Sequence, residues 1–503
     1  MKMKNTSISQ SLFRLIRKND LALIMIAGLL VRVISYFLSP NINFIDEIYQ
    51  YIEPAYSYYY DKTIVTWEYK FGLRNWLWPN LLALAIWPAQ TFFGTLFAFK
   101  FSIVLFCSLL SLISIYAAYM IGSLENRNIG ILAAFFTAFW SDFVYFSSHP
   151  TIEVVANDFL MLGLALALCA NKASVPESST HFRNRFLLCG VMLGFAFAFR
   201  FHLAPALAFI GFFILFKNKS NALKYVLIGS IFPVIIYGYL DYIKIGYPFK
   251  SIYNSININI FYGIAQKFSI TPFYTYLVDD TFLAIALILS MWLIFVDFKN
   301  QNNKFSMLFY TSIVILIFHS LIGHKELRFI YSAYMLMLLF VLIKIALIKN
   351  TRKISTYSMA IIVSFSVIAG FRYRNLWDAN QQYILAAEFL NKKQNICGLG
   401  LYGIEWLLFP GTAFFQKDVY IYKEDTAKIP HSQRLHASYN YLLASDTVDV
   451  KAGFTREICY SIASNDKKAC IYSREGTCFV SRNDALSNSI GHSRITDNVN
   501  TAP

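Results

Sequence analysis

Charge is scarce in this sequence. Only 15% of its 503 residues are Asp, Glu, Lys or Arg, against about a quarter in an ordinary soluble domain. Apolar residues make up 57% and aromatics 17%, more apolar surface than one soluble core can hide, so lipid has to be part of the solvent. Further absences narrow the chemistry. There is no CxxC spacing, which removes the usual zinc signature. There is no DxD triplet of the kind that would chelate a divalent metal on a sugar diphosphate, and no internal repeat of the inverted-repeat transporter type. No small-residue cleavage site follows the apolar run 21–38, which Arg32 interrupts. That run is therefore expected to be a retained first span, with Lys2, Lys4, Arg14, Arg17 and Lys18 held in the cytoplasm. The net charge is +15, and residues 1–372 hold 30 Lys/Arg against 16 Asp/Glu while residues 373–503 hold 14 against 13. The basic excess thus lies in short loops between apolar runs, without an aromatic-lined basic groove, which argues against nucleic acid as a partner.

A spanning helix needs about 20 mostly apolar residues. Eleven stretches are expected to span: 20–38, 97–121, 129–146, 154–170, 186–200, 204–216, 225–243, 278–298, 305–322, 329–348 and 354–371. Residues 76–93 are apolar but carry Pro79 and Pro88, and are expected to form a re-entrant or interfacial helix. With the N-terminus inside, the inner connections collect Arg127, then Lys172, Arg183 and Arg185, then Lys217, Lys219 and Lys224, then Lys299 and Lys304, then Lys349, Arg352 and Lys353, as the positive-inside preference requires. The tip Arg200-Phe201-His202 then points outward. An odd number of spans leaves the tail outside.

The expected architecture is an all-α polytopic domain over 1–372, whose first outer loop is 39–78, followed by a small α/β or irregular non-cytoplasmic domain over 373–503 with a disordered end. Runs near 396–409 and 418–422 read as strands, with a turn at Pro410-Gly411. Cys397, Cys459, Cys470 and Cys478 can pair in three ways if the tail faces an oxidising compartment. The glycosylation sequons at Asn5 and Asn218 both fall on inner segments. With the Ile/Lys/Asn-rich composition, this favours a bacterial inner membrane, the endoplasmic reticulum being the eukaryotic equivalent.

Carboxylates gather on the outer face, where topology does not demand them. The first loop holds Asp46, Glu47, Glu53, Asp61 and Glu68, and later outer segments add Glu153, Asp158, Asp241, Asp279, Asp280 and Glu326. If an α-helix begins at residue 46, Asp46, Tyr49, Gln50 and Glu53 share one side. Such a face, with Trp67, Glu68 and Arg74 following, suits a sugar acceptor. A carboxylate at the membrane edge is fitted to take a proton from a sugar hydroxyl, and Asp46 is the candidate base, unless it only caps the helix. The second segment reads His324-Lys325-Glu326-Leu327-Arg328-Phe329. Three potential cations within five outward residues run against the positive-inside preference, and a lipid phosphate is the natural partner for them. Arg200 and His202 at the outward tip join them as candidates, with Glu326 on the acceptor side.

A sugar on a lipid monophosphate already carries a stable leaving group. One base and a cationic cradle then suffice, and the single displacement inverts the anomeric centre. No metal and no cofactor are expected; the lipid-phosphate sugar is a co-substrate. A transporter or flippase is the main alternative of another class, but the charged residues sit mostly at span ends, Arg32 and Lys344 apart.

These segments resemble those of glycosyltransferase family 22, the polyprenyl-phosphate-mannose-dependent α-mannosyltransferases of the GT-C fold. The family's DExFQ, EPAH, TWE and LRS stand here as DEIYQ, EPAY, TWE and LRN, and its HKExRF is intact at 324–329. The resemblance implies a dolichyl- or undecaprenyl-phosphate mannose donor of β configuration, a glycolipid or lipid-linked glycan acceptor, an α-mannosidic product, and Asp46 as base with Glu47 beside it. Tyr56, Asn75 and His149-Pro150 depart from the family pattern and bear on the acceptor.

Overall fold

The computed structural model describes residues 5–172, 178–267, 270–299, 305–348, 356–372, 377–424, 436–446, 450, 453–462 and 465–489. They fall into two compact units, one made of the chain up to Val33 with Cys107–Ala369, the other of Ile34–Phe106 with the chain from Gly370. The loop 39–78, expected as part of a continuous domain 1–372, thus groups with the tail. Lys2, Lys4, Lys304, Lys349, Arg352, Lys353 and most of the expected disordered end lie outside the described residues.

Every one of the eleven expected spans is helical, but their lengths differ from a uniform set of eleven crossings. Among the described residues six helices are long and apolar enough to cross a membrane, or seven if the bent pair Arg127–Phe139 and Ser141–Ser147 is one span. The other four, at 201–217, 281–296, 306–321 and 358–371, are apolar but shorter. Helix Asn19–Leu38 leaves Leu23, Ile26, Leu30 and Ile34 exposed along one stripe, the face expected to meet lipid. Helices Ile152–Ala170 and Leu327–Leu347 are instead largely buried inside the first unit.

The pair 204–216 and 225–243 is assigned as one helix, Ala204–Ile245, yet it doubles back. Gly211 and Leu223 would lie about 18 Å apart along a straight helix, but a Cβ on Gly211 would be 3.6 Å from Leu223 Cδ1. The turn falls at the expected Lys217–Lys224 connection. Its second arm packs on helix Thr180–Phe199 backbone to backbone, since a Cβ on Gly190 would run into the Val226 carbonyl and one on Gly229 into that of Leu187, the close approach that small residues permit in membranes.

Arg32 stands in mid-span and is bonded within the protein. Its guanidinium donates to the carbonyls of Ala138 at 2.8 Å and Thr137 at 3.0 Å, the last turn of the helix that breaks at Trp140. Orphan carbonyls at a helix end buried from water need such a donor.

In the second unit, helix Leu77–Pro88 continues as a π-turn, Ala89–Phe93, to Gly94. The tail is more regular than expected. Its five-stranded sheet runs in the order β2-β1-β3-β5-β4, with β1 Leu399–Tyr402, β2 Ile421–Glu424, β3 Tyr441–Ser445, β4 Thr455–Ile462 and β5 Asn465–Ser473. β1 is parallel to β2 and β3, while β5 is antiparallel to β3 and β4. Of the three possible pairings the structure forms Cys397–Cys478 and Cys459–Cys470, the latter between facing residues of β4 and β5.

Candidate active site

In the second unit the first-loop motif opens on a π-helix, Glu47–Ile52, with Asp46 at its N-cap. This corrects the single α-helical face: the wider π-turn changes which residues stack, and Tyr49 and Glu53 are engaged elsewhere. Asp46 makes no side-chain capping bond, so capping does not account for it. It is partly exposed, next to Arg74, which feels its charge. Arg74 is held by Glu68, with Nη2 at 2.7 Å and Nε at 3.1 Å from the same oxygen. Burial works against the Arg74 charge, but Glu68, Tyr51 and Asp46 outweigh it and hold the guanidinium above its ordinary pKa. Glu47 is 3% exposed and Gln50 is buried, the backbone carbonyl of Gln50 accepting from the Tyr69 hydroxyl at 2.5 Å. Trp67, half-buried, opens the short helix Trp67–Lys70 that carries Glu68.

Glu53, proposed by sequence for the acceptor, is wholly buried. Its oxygens accept from Ile64 N at 2.8 Å, Thr412 Oγ1 at 2.8 Å and Ala413 N at 2.7 Å. A buried carboxylate with three internal donors has no surface left for a sugar. Two departures from the family pattern are structural here. Tyr56 is buried against the rings of Phe99 and Tyr60; Asn75 Oδ1 accepts from Leu77 N at 2.8 Å, a helix-start role that Ser also fills.

In the first unit the second motif forms a linked set of charges. Arg328 Nε donates to Glu326 Oε2 at 2.7 Å and lies 3.9 Å from Glu153 Oε1. His324 Nε2 is 3.0 Å from Glu326 Oε1. Arg200 pairs with Glu153, and its guanidinium lies 4.8 Å over the Phe329 ring. Lys325 Nζ donates to the carbonyls of Ile322 at 2.7 Å and Thr271 at 3.0 Å. His202 rests on the neighbouring Phe201 ring, 4.0 Å between centroids. Burial opposes the Glu326 charge, but hydrogen bonds from His324 and Arg328 prevail and hold its carboxyl at about 2. Glu326 therefore orients His324 and Arg328, where the sequence alone places it on the acceptor side.

The residue that sequence reasoning missed is Glu153, 3% exposed at the start of an interior helix. In the sequence it stands only among the outer carboxylates, and its signal is its place three residues after Pro150 at a span's mouth. The set holds three fixed cations, Arg200, Lys325 and Arg328, against two carboxylates, Glu153 and Glu326. The surplus is positive, at the N-terminal end of helix Leu327–Leu347, where the helix dipole adds further positive potential. An oxyanion suits that place.

Among the described residues no group of three or more His, Cys, Asp and Glu is arranged to hold a metal ion. A cavity of about 710 Å³ in the second unit is lined by Lys62, Tyr420, Val480, Ser481, Arg482 and Asn483, none of which belongs to either motif.

A family model described as the Alg9-like mannosyltransferase family matches residues 23–398. GPI mannosyltransferase 3 of Debaryomyces hansenii is 23% identical over 328 residues, 59% of this chain and 54% of the relative. Its counterpart from Candida albicans is 26% identical over 305 residues, 59% and 58% of the two chains. The chain thus spans little more than half the length of these curated relatives. Among solved structures, ArnT from Cupriavidus metallidurans bound to undecaprenyl phosphate is similar with a TM-score of 0.55 over 92% of this chain and 99% of that one, at 12% identity. Its apo state gives 0.55 over 90% and 97% at 11% identity. At such identity the likeness is one of fold, and the fold is GT-C.

Proposed function

The chain belongs to the Alg9-like mannosyltransferase family and is a multi-pass membrane glycosyltransferase of GT-C fold; from that premise we propose that it moves mannose from a polyprenyl-phosphate donor to a glycolipid or lipid-linked glycan, with inversion to an α-mannosidic bond. The observation that carries this reading is the cationic set around Arg328, a buried guanidinium oriented by Glu326 and Glu153 with Arg200 beside it. ArnT, of the same fold, holds undecaprenyl phosphate, which supports a lipid-phosphate ligand here.

In the proposed reaction the acceptor hydroxyl gives its proton to Asp46 as its oxygen attacks the anomeric carbon. The bond from that carbon to the phosphate oxygen breaks, and its electron pair stays on the phosphate. Arg328, Arg200, Lys325 and His324 meet the charge that develops there, the contribution of preorganised donors being about 3 kcal/mol each in comparable oxyanion sites. Glu47, Gln50, Glu68 and Arg74 shape the surroundings of the base. Eleven crossings, four of them through shorter helices, would keep the N-terminus cytoplasmic and put the C-terminus outside, which is the periplasm in a bacterium.

The experiment is incubation of purified protein with radiolabelled polyprenyl-phosphate mannose and a membrane lipid extract, followed by analysis of the labelled product. An α-linked mannolipid is expected. A labelled product of retained β configuration, or transfer from a nucleotide sugar in its place, would contradict the reading.

A further inference from the structure

The tail holds the loop at residues that closely follow the proposed base. Glu53 meets Thr412 and Ala413, and Gly411 stands there at φ +74, with no room for a Cβ against Glu53 Oε1. Only glycine meets both demands, of backbone conformation and of contact. One π-turn earlier, the Tyr49 hydroxyl donates to the Phe409 carbonyl at 2.8 Å and lies 3.1 Å from that of Trp406, its ring 5.0 Å from the Trp406 ring. Tyr49 lies within the π-helix that Asp46 caps, and Glu53 is the residue that ends it. A π-turn is rare and less well packed than an α-turn, and it persists where its surroundings hold it.

We propose that Glu53 and the tail segment 406–413 form a clamp that positions the turn carrying Asp46, so that the C-terminal domain belongs to the catalytic apparatus and Glu53 is a positioning residue. The proposal rests on the reading of Asp46 as base. All three partners of Glu53 are donors, so the clamp works with an ionised carboxylate. The titratable groups facing Glu53 are Tyr49 and Tyr56 from its own segment and Tyr60 from the loop beyond, Tyr60 being paired with Asp418 of the tail. Burial pushes the Glu53 carboxyl up to about 6, its hydrogen bonds opposing that rise. Protonation turns one accepting oxygen into a hydroxyl facing donors. Acid therefore weakens the clamp, yet the sign for stability is the reverse. A group whose pKa is higher folded than unfolded takes up its proton first in the folded state, so its contribution to stability improves as pH falls from about 6 to 4.5.

The test compares Glu53→Gln, Thr412→Val and Asp46→Asn in the full-length purified protein, with labelled donor. Glu53→Gln is expected to lower kcat roughly ten- to hundredfold, the effect of a misplaced catalytic group, with donor and acceptor KM within about twofold of wild type. Thr412→Val, the milder change, should lower kcat about threefold; it decides the matter if Glu53→Gln fails to accumulate. Wild-type kcat should fall on acidification through about 6 with no drop in melting temperature, and Glu53→Gln should lack that inflection. Wild-type kcat in both clamp variants, with Asp46→Asn inactive, overturns the clamp alone. A raised acceptor KM at unchanged kcat returns Glu53 to the acceptor and also overturns it. Retained transfer by Asp46→Asn removes the base reading whatever the clamp variants do.

Discussion

Glu326 and Glu53 are carboxylates in the same kind of motif, one in each unit, and their environments separate them. Glu326 sits among cations, is held ionised near 2 and orients His324 and Arg328. Glu53 sits among neutral donors, is lifted to about 6 and ties the loop to the tail. The first unit builds its charged set from one contiguous hexapeptide plus Glu153 and Arg200. The second unit spends its conspicuous acids on architecture and leaves Asp46 partly exposed. What a carboxylate does is decided by its partners and its desolvation, not by the motif that carries it.

The sharpest way to break the contrast is Arg328→Gln. It removes the buried cation while keeping hydrogen-bonding capacity, and should lower kcat/KM about a thousandfold, measured with labelled donor under single turnover. Donor affinity should fall with it, because the ground-state phosphate uses the same charge. An Arg328→Gln enzyme that binds and transfers normally would show that the first unit's charges are structural.

A smaller effect is expected from the disulfides. Cys397–Cys478 closes a separation of 81 residues and Cys459–Cys470 one of 11. Chain-entropy arguments give about 4.5 kcal/mol for the long closure and about 3 kcal/mol for the short one. Cys397→Ser should therefore lower the melting temperature more than Cys459→Ser, read by thermal unfolding in detergent. Because Cys397 lies just before β1 in the unit that contains the clamp, Cys397→Ser should also lower kcat a few-fold while donor affinity stays put. Equal loss of both parameters would argue that the two regions are not separable.

How much of this was legible is itself uneven. The intact HKELRF hexapeptide could be read because its partners are two residues apart, and the bonds of Glu326 with His324 and Arg328 follow from that spacing. Glu153 lies 175 residues before Arg328 in the chain, and nothing local ties the two. The loop was harder. An α-helical period puts Asp46, Tyr49, Gln50 and Glu53 on one face, whereas the chain forms a π-turn there. The Pro410-Gly411 turn was visible in the sequence, but its partner, Glu53, lies more than 350 residues earlier. Span existence was legible from apolar runs throughout; span length was not, four of the described apolar helices being 17 residues or shorter. Of the tail's strands, the runs near β1 and β2 stood out. β3 is buried along almost its whole length and β4 has no buried residue, so neither gives the alternation that marks a half-buried strand.

The smallest effect belongs to Lys62→Ala. Lys62 also joins the loop to the tail, at 2.5 Å from Asp418, but Asp418 is 78% exposed, and exposed pairs contribute about 0–1 kcal/mol. Melting temperature and kcat should both stay at wild-type values. A tenfold loss of kcat would mean that surface charge, not the buried Glu53 clamp, holds the loop.

The central claim is that Asp46 takes the acceptor proton while the Arg328 set receives the phosphate. It is tested most directly by measuring donor affinity and single-turnover transfer together for Asp46→Asn. The account predicts wild-type donor affinity with transfer reduced at least about a hundredfold; transfer at the wild-type rate would contradict it.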